Sequence, residues 1–374
     1  MKVLVATTPG LGHVLPILPL AQHLQARGHE VRWVVGPDGA DAVRATGIAV
    51  TEGGLPARQR QAELGRQYPQ MRTLPERERR LLAFSKGFGE IAAPVMLDVL
   101  WPLVAAWRPD VVVHDAADLA GPLVAAATGI PSACHGFGEV VPEPAVRRAG
   151  AEVAPLWEAA GLAADPYAGS YRGTYLDIYP PSLRSLDMGH VPRVQGVRPA
   201  EGRPAVGELA YVTFGTMFNV VDDCFRAAIR AAASTCAEVL VTVGPDGDPA
   251  AVGEQPANVR VERFVPQAEV LPRCRVVLCH GGSGTVLAAL AHGVPLLCLP
   301  QGADQFANAA NVAAAGCGID IGPASVTEPA LRAALAELVE APAHLDAARA
   351  MAAEIAAMPG PSQAAAAVEA LAAR

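Results

Sequence analysis

The sequence predicts an α/β protein of two doubly wound parallel-sheet domains, and three observations carry that prediction. Short apolar strands alternate with helical patterns along most of the chain. The alternation pauses at a Pro/Gly-rich stretch and then restarts. In each half, one strand runs directly into a glycine-rich turn that opens a helix. With 374 residues, 51% hydrophobic and 18% charged, the chain is long enough for two domains that each bury a core.

In the first half, Val3–Ala6, Val31–Val35, Val111–His114 and Ile130–His135 read as strands. A helix is expected from Leu15 to Arg27, with Pro16 and Pro19 in its first turn and Gly28 as its stop. Another is expected from Leu119 to Thr128, ending before Gly129. Residues 55–95 read as an insertion, partly helical and partly loop. Its runs Arg58-Gln59-Arg60-Gln61 and Glu76-Arg77-Glu78-Arg79-Arg80 look like solvated helix faces. The stretch 191–208 begins with strand character, turns Pro/Gly-rich and reads as the interdomain linker.

Beyond it, strands are expected at Ala210–Phe214, Val239–Val243, Val259–Phe264, Val276–His280, Pro295–Leu299 and Gly318–Ile321. The expected domains are therefore 1–200 and 208–358. A final Ala-rich helix from Ser362, within 359–374 and set off by Pro359-Gly360-Pro361, is expected to fold back on the first domain. Two such domains in tandem imply a cleft faced by the carboxyl ends of both sheets.

Composition removes several function classes. With 29 basic against 37 acidic residues the net charge is -8, which leaves counterion-release binding to nucleic acid little to work with. Seven scattered cysteines without a CxxC spacing read as reduced thiols of a cytoplasmic protein. Thr7-Thr8-Pro9-Gly10 interrupts the apolar N-terminus, and no run is expected to reach the roughly 18 apolar residues of a membrane span. Asp246-Gly247-Asp248, between Gly244-Pro245 and Pro249, has turn composition, so no metal site is assigned to it.

The sharpest local feature is the run from Arg275 to Thr285, a buried strand ending in His280-Gly281-Gly282-Ser283-Gly284-Thr285. Glycines allow close backbone approach, and the first amides of the following helix point at whatever lies there. With the Ser283 and Thr285 hydroxyls and a His280 donor, the turn suits a diphosphate. No GK[ST] follows, which disfavours a P-loop enzyme. Arg263-Phe264-Val265-Pro266-Gln267 leaves a neighbouring strand: Phe264 is placed to stack on a base and the Val265 backbone to read its edge. Asp304 and Gln305, after the strand ending at Leu299, are placed to meet sugar hydroxyls.

At the other end, Thr8-Pro9-Gly10-Leu11-Gly12-His13 follows the first strand. It resembles the start of a dinucleotide fingerprint, but Leu15 stands at the third glycine and no acid ends the second strand, Asp38 lying beyond Gly36-Pro37. What it offers is a histidine between strand end and helix start. A neutral imidazole there can take a proton from a hydroxyl if a carboxylate orients its other nitrogen. Asp115 is the first candidate and Asp118 the reserve.

Together these motifs resemble the bacterial natural-product members of glycosyltransferase family 1, inverting enzymes of the GT-B fold with two Rossmann-like domains facing across a cleft. The resemblance implies His13 as general base, Asp115 as its orienting carboxylate, and His280 with Gly282, Ser283, Gly284 and Thr285 as the diphosphate cradle. It implies Phe264 and Val265 as the base site, with Gln267 in the same donor set, and Asp304 and Gln305 as donor-sugar contacts. Thr213-Phe214-Gly215-Thr216 resembles the family's loop to the diphosphate, which adds Thr216. Plant relatives carry Trp where Phe264 stands. The nucleotide is dTDP or UDP, with dTDP favoured by the likeness to antibiotic enzymes.

The expected reaction is transfer of a deoxysugar or sugar from a nucleotide-diphosphate donor, a co-substrate rather than a cofactor, to a hydrophobic aglycone, without a metal. The aglycone is expected near Phe84, Phe88, His135 and Phe137, the apolar positions of the first domain not otherwise assigned. A second copy of the chain is a candidate partner; nucleic acid and membrane are not. A sugar-nucleotide epimerase of the same fold and a non-catalytic partner protein are the alternatives.

Overall fold

The computed structural model describes residues 1–215 and 221–373. The chain forms two compact units. The first comprises Met1–Ile178, Leu186–Val197 and the chain from Pro359 onward; the second comprises Tyr179–Ser185 and Arg198–Met358.

In the first unit, seven strands form one parallel sheet: β1 (Lys2–Ala6), β2 (Glu30–Val35), β3 (Ala49–Glu52), β4 (Val111–Asp115), β5 (Ser132–His135), β6 (Thr174–Asp177) and β7 (Val194–Gly196). Their order is β3-β2-β1-β4-β5-β6-β7, so the chain winds outward from β1 and then returns to its other side at β4. The carboxyl ends of β1 and β4 are therefore the switch point, where loops diverge and leave a crevice. Leu4, Ala6, Val34 and Val112 of the sheet are buried against Leu100, Leu123 and Trp157 from the covering helices.

The second unit repeats the plan with β8 (Leu209–Thr213), β9 (Glu238–Thr242), β10 (Val259–Glu262), β11 (Cys274–Cys279), β12 (Leu296–Cys298) and β13 (Gly318–Asp320). All pairings are parallel, in the order β10-β9-β8-β11-β12-β13, and the switch point lies between β8 and β11. Val212, Val241, Val276, Leu278 and Leu297 are fully buried beneath Phe225, Leu331 and Leu335. Continuous apolar strands of this kind are what a sheet covered on both faces requires.

Several elements depart from the sequence expectation. The helix expected over Leu15 to Arg27 begins only at Leu18 and runs to Ala26, with a separate short helix Leu11–Val14 before it. Pro16 has no N–H to continue the short helix, and Pro19 sits where a helix start tolerates it. Strands β3 and β6 are additional to those expected, and β7 lies where the stretch 191–208 is expected to begin with strand character. Residues 57–107 are almost wholly helical rather than partly loop: Ala57–Gln67, a 3-10 turn at Pro69–Thr73, Glu76–Phe84, a π-helical stretch Ser85–Ala92, and Ala93–Trp107. The run Glu76–Trp107 is long and apolar enough to cross a membrane by length and composition. Met96, Leu97, Leu100 and Val104 in it are instead buried in the first unit's core. All seven cysteines are free thiols.

Candidate active site

The first unit brings His13 and Asp115 together at its switch point. Gly10, with φ of 114°, turns the chain out of β1 into the short helix carrying His13. Asp115 is the last residue of β4 and is fully buried. Its Oδ2 accepts the Thr8 amide at 2.6 Å and the Thr8 hydroxyl at 3.1 Å; its Oδ1 accepts the amides of Ala117 at 2.6 Å and Asp118 at 3.1 Å. Oδ1 also lies 3.5 Å from His13 Nδ1. Burial works against the charge of Asp115, but the His13 ring and these amides outweigh it and hold the carboxyl below its ordinary range. The result is a fixed carboxylate behind a partly exposed imidazole.

Asp118 contrasts with it. Burial, then the neighbouring Asp115 charge, raise its carboxyl to about 7, although the Ala120 and Gly121 amides reach its oxygens at 3.2 and 3.3 Å. It therefore supports the loop after β4 and is not the group beside His13.

An aromatic bed surrounds the imidazole. The Phe137 ring centroid lies 4.5 Å from that of His13, Phe88 lies 5.9 Å from it, and Phe84 lies 5.2 Å from Phe88. All three phenylalanines keep some exposed surface. His135 is different: it pairs with Asp115 across β4 and β5, but its ring has no exposed surface and its Nδ1 sits 2.6 Å from the Gly136 carbonyl. Burial lowers it to about 4, so it is a neutral core side chain and offers no face to an aglycone.

In the second unit, the helix Ser283–Ala291 begins at the end of β11 with Gly282 at its N-cap and no side-chain cap, so its first amides stay open. The His280 ring is wedged between two glycines. A Cβ on Gly215, whose φ is 73°, would lie 2.7 Å from its Cε1, and one on Gly282 would lie 2.5 Å from its Nε2. Burial lowers His280 to about 4, against the pull of Asp304, so the ring is neutral at pH 7.

The two hydroxyls of the turn have different partners. Ser283 Oγ donates to Asp304 Oδ2 at 2.7 Å, so this hydroxyl is committed to a carboxylate rather than open to a diphosphate. Thr285 Oγ1 accepts from Gln267 Nε2 at 3.0 Å, which leaves the Thr285 proton free to donate. Gln305 is buried, with its Oε1 accepting the Gln301 and Gly302 amides at 2.8 and 3.0 Å; only its Nε2 remains for a sugar. Phe264 is 57% exposed, an open ring at the end of β10, and Val265 follows it half-buried. Thr216 lies outside the described residues.

Sequence reasoning missed three groups here. Asn308 donates through Nδ2 to the Gly281 carbonyl at 2.9 Å, to Ser283 Oγ at 3.0 Å and to Asp304 Oδ2 at 3.1 Å. Its spacing of four from Asp304 on the helix Gln305–Ala314 was the available signal. Tyr179 donates to Asn308 Oδ1 at 3.2 Å, a contact no local motif announces. Thr8 was read only as part of a turn. Among the described residues, no group of three or more His, Cys, Asp or Glu side chains is placed to hold a metal ion. Asp248 instead caps the turn Pro249–Val252 by accepting the Ala250 amide.

Residues 22–190 match the N-terminal domain, and residues 226–371 the C-terminal domain, of the family described as Erythromycin biosynthesis protein CIII-like. The chain belongs to the EryCIII-like glycosyltransferases. It is 34% identical to the elloramycin glycosyltransferase of Streptomyces olivaceus, over 98% of this chain and 96% of that one. A Streptomyces sp. SF2575 glycosyltransferase solved with thymidine diphosphate superposes with a TM-score of 0.80 at 26% identity, covering 99% of each chain. Spinosyn rhamnosyltransferase solved with spinosyn aglycone gives 0.81 at 25% identity, covering 99% of this chain and 100% of that one. The two parallel sheets are those of the GT-B fold, and the protein is a bacterial natural-product glycosyltransferase.

Proposed function

We propose that this glycosyltransferase moves a deoxysugar from a dTDP-linked donor to a hydroxyl of a hydrophobic natural-product aglycone, with inversion and without a metal ion. The observation that carries the reading is the His13–Asp115 pair, a partly exposed imidazole 3.5 Å from a buried, hydrogen-bonded carboxylate. His13 takes the acceptor proton as the oxygen attacks the anomeric carbon from the face opposite the nucleotide. Asp115 fixes the ring and stabilises the imidazolium that forms. The bond from carbon to the diphosphate oxygen breaks, and the charge that develops there meets the open amides of Ser283, Gly284 and Thr285, the Thr285 hydroxyl and the neutral His280. A dTDP donor is supported by the relative solved with thymidine diphosphate, and an apolar acceptor by the phenylalanine bed around His13.

The test is His13→Ala, assayed in EDTA with a dTDP-sugar and an aglycone panel. General-base catalysis contributes about 10²–10⁴-fold, so kcat should fall by that order while dTDP affinity stays within about twofold. A folded variant that still transfers sugar at the wild-type rate removes His13 from the mechanism. Loss of wild-type activity in EDTA, restored by Mg²⁺, removes the metal-free step.

A further inference from the structure

Arg60 lies in the helix Ala57–Gln67, within a run whose composition reads as a solvated face. The structure places it otherwise. Its guanidinium carbon stands 3.9 Å from the centroid of the Phe88 ring, and Phe88 in turn lies against His13. Guanidinium and imidazole thus share one aromatic neighbour. Arg60 Nε is buried without a hydrogen-bond partner, and the guanidinium makes neither a hydrogen bond nor an ion pair among the described residues. By contrast, Arg66 on the same helix is paired with Glu63.

Arg60 is half-buried, and a guanidinium whose Nε is shut off from water without a partner is costly; stacking on Phe88 recovers at most about 2 kcal/mol of that. Burial lowers the group to about 10, while the Asp115 carboxylate pulls the other way; at pH 7 it is still a cation. Asp115 does not serve as its partner by contact: its two oxygens already accept from the Thr8 amide and hydroxyl and from the Ala117 and Asp118 amides. An arginine fork with free donors matches a planar oxyanion, and the aromatic rings beside it match a planar skeleton.

We propose that Arg60 anchors an ionised oxygen substituent of the acceptor, so that the acceptor class is a planar aromatic compound bearing a carboxylate or an acidified phenolate. The inference rests on the reading of the His13 face as the acceptor side. Its chemistry is binding alone: the anion pairs with the guanidinium while a different hydroxyl of the same skeleton faces His13. A neutral acceptor would cover this half-buried cation without pairing it, so the site would select against it.

The test is binding of 1,8-dihydroxyanthraquinone-3-carboxylic acid and of its methyl ester, followed by fluorescence quenching without nucleotide sugar, on the full chain and on Arg60→Gln and Arg60→Lys. The wild type should bind the acid at least tenfold more tightly than the ester. Arg60→Gln should abolish that preference while ester affinity stays within about twofold, which also reports a folded site; Arg60→Lys should keep part of it. Equal affinity for acid and ester in the wild type, or a preference that survives Arg60→Gln, overturns the proposal. An acid preference in a chain that transfers no sugar from a dTDP donor would support Arg60 and refute the transfer reading, so the two failures are distinguishable.

Discussion

At the scale of single residues, the second unit's site depends on what two glycines leave out. His280 fills the space that a Cβ on Gly215 or Gly282 would need, and neither position can yield by moving a flexible chain end, because the obstacle is the imidazole itself. Gly282→Ala should therefore displace the His280 ring and disturb the first amides of the helix it caps. Losing one hydrogen bond to a charged group costs roughly 1.5–3 kcal/mol, so dTDP affinity should weaken at least tenfold by calorimetry. Gly284→Ala, where a Cβ would meet nothing within 4 Å, is the control and should bind more tightly than Gly282→Ala. Equal affinities in the two variants would detach His280 from the nucleotide. The same scale shows what a sequence carries and what it hides. His13 and Asp115 were legible because His13 lies in the turn-and-helix segment that leaves β1 and Asp115 ends β4, and doubly wound sheets gather such residues at one point. Arg60 was not, because a charge run reads alike whether its members face water or an aromatic ring. Ser283 was legible as a hydroxyl at a helix start, but its commitment to Asp304 depends on a loop 21 residues away.

At the scale of elements, the legible parts were long apolar strands and the hidden ones were short or edge strands. β3 (AVTE) is an edge strand of four residues, too brief for periodicity to distinguish from a turn. The C-terminal helix Pro361–Ala372 belongs to the first unit, where two kinds of contact hold it. Glu369 receives Arg27 through two bonds of 2.7 Å and sits 2.6 Å from His29 Nε2, while Ala364, Ala365 and Val368 are fully buried. The ion pair is partly exposed, and such pairs contribute little. Burial should dominate. Val368→Ala deletes buried methyl groups and should cost about 1–2 kcal/mol, whereas Glu369→Gln should shift the thermal midpoint by no more than about 1–2 °C. Thermal denaturation of both variants at low and high salt checks the ranking. A larger loss from Glu369→Gln than from Val368→Ala would make the charge network the dominant attachment.

At the scale of the whole molecule, buried ionisable groups set how stability follows pH. Burial holds His114, His135 and His280 at about 4, so each stays neutral in the native state while its unfolded counterpart, near 6.5, takes a proton. Between pH 6.5 and 4 the unfolded chain thus binds more protons at these positions, and stability is lost as pH falls. Asp118 acts in the opposite sense. Its native carboxyl, raised to about 7, keeps a proton that the unfolded residue has released above 3.8, so its share of stability is present in acid and lost as pH rises toward 7. In the first unit, two histidines are opposed by Asp118, which leaves a net difference of about one proton. Its stability should peak near pH 6.5. Substitutions at the two kinds of group should then move the pH slope in opposite directions. His135→Gln, which can still donate to the Gly136 carbonyl, should flatten the acid loss by up to about 1.4 kcal/mol per pH unit. Asp118→Asn should steepen it by a similar amount and remove the decline toward neutrality. Urea denaturation of the wild type and both variants at pH 4.5, 5.5, 6.5 and 7.5 measures the slopes. Parallel slopes in all three would mean that these groups do not titrate differently in the folded and unfolded states.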